Sequence, residues 1–160
     1  MGQIGREVAR VATALGCEVR YTSTSGVARR EEYPALPLAE LLGWADVVSV
    51  HAPLNERTRG LIGERELRMM KPSALLINVA RGGIVDEAAL ARALDEEVIA
   101  GAAIDVFTRE PIAADNPLLA VKDPDRLLLS PHNAWSPAEA IDALIGLVAE
   151  NITNFMEKNK

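Results

Sequence analysis

Apolar and polar positions along this chain alternate between two rhythms. Val8, Val11, Ala12 and Leu15 share one helical face, and Gly16 supplies the stop. "CEVRYT" then reads as a strand, followed by a polar, glycine-containing loop and a short helical pattern, "LAELLGW". "DVVSVHAP" is a continuous apolar run closed by proline, as suits a strand buried on both faces. "GERELRMMKP" predicts a short helix ended by Pro72, and "ALLINVA" a strand. "DEAALARALDE" predicts a helix with Asp86 as its N-cap, and "VIAGAAIDVF" and "DRLLLSPH" are further strands. From Ser136 onward Ile141, Leu144, Ile145, Val148, Ile152 and Phe155 trace the stripe of a long amphipathic helix. Strand and helix in alternation imply an α/β fold: a doubly wound, mostly parallel sheet with helices on both faces.

Composition narrows the setting. The chain's 160 residues suit one domain with a core of its own. No apolar run reaches the ~18 residues a membrane span needs. A net charge of −6 argues against a nucleic-acid surface, where clustered Lys and Arg would be required. Cys17 is the single cysteine, so an internal disulfide is impossible and a reducing compartment is the default. With no basic-then-apolar leader, the sequence reads as a cytoplasmic domain. No metal site is expected.

The first residues, "MGQIGREV", raise a specific question. Gly2 and Gly5 fit the second and third glycines of a Rossmann-type dinucleotide fingerprint. In that motif the second glycine lets backbone approach the pyrophosphate and the third lets helix pack closely on strand. The first glycine, and the strand that feeds the turn, would precede Met1. The expectation is a dinucleotide-binding domain over residues 1–160, truncated at its N-terminus and lacking the first strand of the fold. Glycine near a helix start is common, so the motif gains its weight from the helix and strand that follow it.

At the end of the second strand of such a domain, a carboxylate ordinarily accepts the ribose hydroxyls. Ser23, within "YTSTSG", stands there instead. Its hydroxyl can bond a ribose or a 2′-phosphate, and Arg29 or Arg30 could reach the latter. A solvated loop of small polar residues explains the segment equally well, so NAD and NADP both stay open.

Candidate chemistry collects at the carboxyl ends of the predicted strands, where open parallel sheets bind ligands near a topological switch point. Arg81 follows "LLINVA", Asp105 ends "AGAAID" with Glu110 close behind, and His132 follows "RLLLSP". Singly, each is an ordinary surface or loop residue; together on one rim they suggest a site. An imidazole can give a proton to a carbonyl oxygen or take one from a hydroxyl. A nearby carboxylate fixes its tautomer, and a guanidinium can clamp a substrate carboxylate in bidentate fashion. These types suit carbonyl–alcohol interconversion with a bound hydride carrier. His51, the other histidine, has no carboxylate spaced to orient it and reads as structural or cofactor-flanking.

Several multi-residue stretches now point to a family. "MMKPSALLINVARGGIVDEAAL", "GAAIDVFTREP", "LLLSPHNAW" and "WADVVSVHAPLNERTRGLI" resemble the D-isomer-specific 2-hydroxyacid dehydrogenases. The likeness runs from Gly2 to about Phe155 and corresponds to the nucleotide-binding domain. "DNPLLA" and "HNAW" resemble the glycerate dehydrogenase or hydroxypyruvate reductase branch. The resemblance implies that Arg81 binds substrate and that Glu110 pairs with His132, the acid–base. It implies further that Gln3 and Ile4 lie against the pyrophosphate, with Gly2 and Gly5 shaping the turn. Val79, Ala80 and Arg81 would border the nicotinamide, with Asp105 and His132 near its ring, and Pro53 and Thr58 would line the cofactor loop. Ser23 departs from the family's usual acid, and Asn133 stands where a small apolar residue is commoner.

The family also carries a substrate domain before this segment, so the chain is expected to be a fragment that is inactive alone. Hydride transfer between NAD or NADP and a small 2-hydroxy or 2-keto acid is the leading reading, with a homodimer as the expected assembly. The alternatives are a nucleotide-binding module without turnover and an inactive fragment.

Overall fold

The computed structural model describes residues 1–25 and 32–158. Arg29 and Arg30 therefore lie outside the described residues. Helix α1 (Gln3–Ala14) opens the chain, followed by α2 (Leu38–Trp44) and β1 (Val47–Val50). Then come α3 (Glu64–Leu67), β2 (Leu75–Asn78), α4 (Glu87–Asp95), β3 (Gly101–Ile104), β4 (Leu127–Leu129) and α5 (Ala138–Lys158). Two short 3₁₀ helices, Pro117–Ala120 and Pro124–Arg126, lie between β3 and β4. The four strands form one parallel sheet in the order β1-β2-β3-β4.

That order has no reversal. The strand ends still form a common rim, but among the described strands it contains no switch point of the kind expected beside the site. Consecutive right-handed crossovers place their connecting helices on one face of the sheet. The core forms there: Val48, Val50, Leu76, Ala102 and Ile104 from the strands meet Leu42, Leu67, Leu90, Leu94 and Leu118.

The opposite face is more open. Along β1 and β2 burial alternates, with Val47 and Leu75 exposed beside buried Val48 and Leu76. The expectation that "DVVSVHAP" is buried on both faces is therefore corrected: an unbroken apolar run conceals a strand covered on one side.

A second correction concerns "CEVRYT". It forms no strand, only an isolated parallel bridge between Tyr21 and Ala35, closed by Tyr21 N–H to Pro34 O and Leu36 N–H to Tyr21 O. A strand exists through its neighbours' hydrogen bonds, and among the described residues this segment borders no sheet strand. The helix expected over "GERELRMMKP" is shorter than read, with Met69 and Met70 continuing it only by tighter turns to Glu66 and Leu67. Helix α5 forms where its stripe predicts, yet none of its residues is buried, and Leu144, Ile145, Val148, Ile152 and Phe155 face outward.

Candidate active site

Each strand of the central pair leads into a side chain that shapes the turn after it. Asn78, the last residue of β2, is buried, and its Oδ1 accepts the Ala80 N–H while its Nδ2 donates to the Arg81 carbonyl. This closes the Val79–Ala80–Arg81 turn and lifts Arg81 to the surface, where its Nη1 donates to the Ala80 carbonyl at 2.6 Å. Next in line, Gly82 runs directly against the Phe107–Thr108 peptide, so that a Cβ built on it would overlap the Phe107 carbonyl. The Arg81 turn and the loop after β3 are thus in backbone contact.

Asp105, just past β3, is buried and carries three hydrogen bonds. Its Oδ1 accepts from Ser130 Oγ at 2.6 Å and Asn133 N at 3.0 Å, and its Oδ2 accepts from Ala134 N at 3.0 Å. Burial alone would push this carboxyl up; the Ser130, Ala134 and Asn133 donors together outweigh it and hold the group below the ordinary carboxylate range. These bonds tie down the segment that carries His132. His132 itself has φ +51°, a left-handed conformation that costs a non-glycine residue roughly 1–3 kcal/mol unless its surroundings impose it. They do: Trp135 Nε1 donates to the His132 carbonyl, and the His132 N–H donates to Ser130 O.

Glu110 reaches His132 from the other side. Its Oε1 accepts the Phe107 N–H at 3.0 Å, and its Oε2 lies 2.7 Å from His132 Nδ1. The Phe107 N–H first, and the histidine second, hold the Glu110 carboxyl below its usual range. A carboxylate only accepts, so the imidazole donates through Nδ1, leaving Nε2 to exchange a proton with something else. The structure thus joins Glu110 and His132 directly, brings Asp105 onto the same loop, and links Arg81 to them through Gly82.

The nucleotide-side residues occupy the α1 end of the rim. Gly2 is the extended N-cap of α1, no side chain caps it, and its first turn carries no acid, so Gln3 and Ile4 present backbone N–H groups at an exposed helix start. That is an arrangement suited to an anionic group. Gly5 packs on His51, where a Cβ would make ordinary contact at 3.6 Å. His51 Nε2 pairs with Ser49 Oγ at 2.9 Å, and burial pushes the imidazole down from its usual value. The ring is thereby packed between the end of β1 and the start of α1.

An open cleft of about 380 Å³ is lined by Thr24, Ser25, Asn55, Glu56 and Arg57. Ser23 adjoins it, its Oγ 3.1 Å from Ser25 Oγ, and Arg57 Nη1 donates to the Ser25 carbonyl across the cleft. Thr58 is fully buried; its hydroxyl donates to the Pro53 carbonyl and accepts the Asn55 N–H. Its hydroxyl is therefore committed to the shape of the 53–58 loop. Sequence reasoning missed Asn78, Ser130 and Trp135. Only Asn78, a buried-strand asparagine, carried a readable signal.

The family model for D-isomer-specific 2-hydroxyacid dehydrogenase, NAD-binding domain, matches residues 1–134. A glyoxylate reductase from Korarchaeum cryptofilum is 42% identical over 161 residues, covering 97% of this chain and 47% of that protein. Among solved structures, the NAD-complexed form of a D-isomer-specific 2-hydroxyacid dehydrogenase from Lactobacillus delbrueckii ssp. bulgaricus matches with a TM-score of 0.85 at 30% identity. That match covers 98% of this chain and 51% of the other. An NADPH-dependent glyoxylate/hydroxypyruvate reductase from Sinorhizobium meliloti, in complex with NADP and malonate, matches with a TM-score of 0.85 at 32% identity, over 97% and 47% of the two chains. The chain spans about half the length of the curated relatives it matches.

Proposed function

Because the chain belongs to the NAD-binding domain family of the D-isomer-specific 2-hydroxyacid dehydrogenases, we propose that it is the nucleotide-binding, acid–base half of an oxidoreductase acting on small 2-hydroxy or 2-keto acids. The observation that carries this reading is the Glu110–His132 pair on the strand rim. When bound, NAD or NADP supplies or accepts the hydride. His132 Nε2 holds the proton that passes to the carbonyl oxygen in reduction and takes it back in oxidation. Glu110 keeps the other ring nitrogen protonated and aims the ring. Arg81 engages the substrate carboxylate.

For the dinucleotide, Gly2, Gln3, Ile4 and Gly5 form the pyrophosphate end, and the cleft beside Ser23 receives the adenosine. Pro53 and Thr58 shape the flanking loop, and Val79, Ala80 and Asp105 border the nicotinamide. The α1 start, with no capping side chain and no acid in its first turn, supports this placement.

The side chains of His132 and Glu110 are 36% and 37% exposed, open to the water that hydride transfer must exclude. Turnover is therefore expected only when a second wall covers them. Among the described residues no helix is long and apolar enough to cross a membrane. The outward stripe of α5 supports a homodimer.

The test is a titration of the chain with NADH and NADPH, followed by assays of glyoxylate, hydroxypyruvate and pyruvate reduction. The assays use the chain alone and fused behind the half of the Korarchaeum relative that it does not match. Weak dinucleotide binding or none by the chain alone, and binding with turnover by the fusion, are expected. A fusion that binds dinucleotide without reducing any of the three acids would leave a binding module.

A further inference from the structure

We infer that Glu87, the first residue of α4, is a positioning residue for the Glu110–His132 pair, acting by clipping the loop over residues 107–116 at both ends. Glu87 Oε1 accepts the Thr108 N–H at 2.6 Å, and Oε2 accepts Asn116 Nδ2 at 2.7 Å. Asn116 is buried, and its other amide atom, Oδ1, accepts the Leu118 N–H at 3.0 Å. One carboxylate on a helix start thus fixes the loop's exit from β3 and its entry into the first 3₁₀ helix. Glu110 lies between the two anchors.

The near anchor bears directly on Glu110. The Phe107–Thr108 peptide is held on its N–H side by Glu87 and on its carbonyl side by the backbone at Gly82. The preceding N–H, that of Phe107, is the donor that holds Glu110 Oε1. That N–H belongs to the neighbouring peptide, joined to the clipped one at Phe107 Cα, so a displacement of the chain at Phe107 would carry the donor away, and Glu110 Oε2 would lose its line to His132 Nδ1. A carboxylate at the first turn of a helix is also electrostatically favoured, so the clip sits where its charge is welcome.

Both bonds need Glu87 as acceptor, which gives the proposal a reciprocal test. In Glu87→Gln only one oxygen can accept, so either Thr108 or Asn116 loses its partner. In the double variant Glu87→Gln/Asn116→Asp, the new amide on α4 accepts the Thr108 N–H through its oxygen and donates through its nitrogen to the new carboxylate across the loop. The second oxygen of that carboxylate still takes the Leu118 N–H. The clip is restored with the second bond reversed.

The readout is the tautomer of His132 by ¹⁵N NMR on the 160-residue chain, which has two histidines in all. Spectra are recorded at pH about 9, above the ordinary imidazole range. The Nδ1–H form should dominate in the parent chain and give way to a mixture with Nε2–H in Glu87→Gln and Glu87→Ala, at unchanged far-UV circular dichroism. It should return in the double variant. If Glu87→Ala does not fold, the Glu87→Gln and double variants decide. A folded Glu87→Gln with the parent's tautomer, or a double variant that stays mixed, would overturn the proposal.

The catalytic consequence rests on the acid–base reading above: in the fusion, Glu87→Gln should lower kcat about tenfold with KM within about twofold, and the double variant should recover it. A parent fusion without turnover would sink that reading while the tautomer result still judged the clip.

Discussion

Glu110 and His132 stand 22 residues apart in sequence and meet at 2.7 Å through Oε2 and Nδ1. Neither side chain reaches the other unaided. Glu110 is aimed by the Phe107 N–H, and His132 is held in a left-handed conformation by a loop that Asp105 anchors. The pair is a product of two loops braced separately from the sheet.

From this geometry His132→Ala, in the fusion, should lower turnover by ~10²-fold or more while leaving dinucleotide affinity little changed, because the imidazole moves a proton without being the cofactor's anchor. Steady-state rates and NADH titrations check the split. Equal turnover in variant and parent would remove His132 from the mechanism.

Gly82→Ala probes the contact between the Arg81 turn and the Glu110 loop. The new Cβ would overlap backbone, the Phe107 carbonyl, and backbone cannot rotate away as a flexible side chain can. Overpacking of this kind costs roughly 1–3 kcal/mol. The variant should unfold at lower urea concentration and should also lose the Nδ1–H signature of His132. Parent-like stability would mean that the two segments move apart freely.

The parallel sheet was legible because its strands are apolar runs between helical patterns, a local signal. The rim residues were legible for the same reason: each closely follows such a run. What a local pattern cannot carry is pairing. "CEVRYT" has strand composition, but its state depends on neighbours elsewhere in the chain. Asp105 could be placed on the rim, yet its donors lie 25 to 29 residues downstream, so its work as an anchor was invisible. Glu87 looked like any acid in a first helical turn until Thr108 and Asn116 arrived beside it.

Acid stability should report on the two carboxylates that hold His132. Asp105 and Glu110 both have folded pKa values below their ordinary ones. Their contribution is therefore complete above the unfolded values of about 3.9 and 4.3, and is lost as pH falls through the lower folded values. These two carboxylates add no slope from pH about 7 to 5, where the lowered His51 makes thermal midpoints decline as pH falls through the ordinary imidazole range, and the midpoints should fall further below about 4. Asp105→Asn replaces one accepting oxygen with a donor facing Ser130, Asn133 or Ala134, leaving a buried group unpaired at a cost of roughly 1–3 kcal/mol near neutrality. Its acid limb should be shallower than the parent's, though not absent, since Glu64 is also held low by Arg68 and Arg92. A parent-like acid limb in Asp105→Asn would show that this carboxyl is not held low.

On the proposed placement of the adenosine beside Ser23, that residue bears on the choice between NADH and NADPH. Ser23 brings a neutral hydroxyl where the family's usual residue is acidic, and its Oγ shares a contact with Ser25 at the cleft wall. Arg57 spans the same wall through the Ser25 carbonyl, its positive charge set against that of Glu56 in the same lining. Nothing contributed by Ser23 repels a phosphate there, so discrimination against NADPH should be modest. Ser23→Asp adds a carboxylate that can accept the two ribose hydroxyls of NADH and repels the 2′-phosphate of NADPH. The ratio of dissociation constants should move toward NADH by about tenfold or more, equivalent to ~1.4 kcal/mol, and the shift should shrink as salt screens the repulsion. Fluorescence titrations of both cofactors at low and high ionic strength measure it. A ratio that does not move would mean that the Ser23 loop does not read the ribose at all.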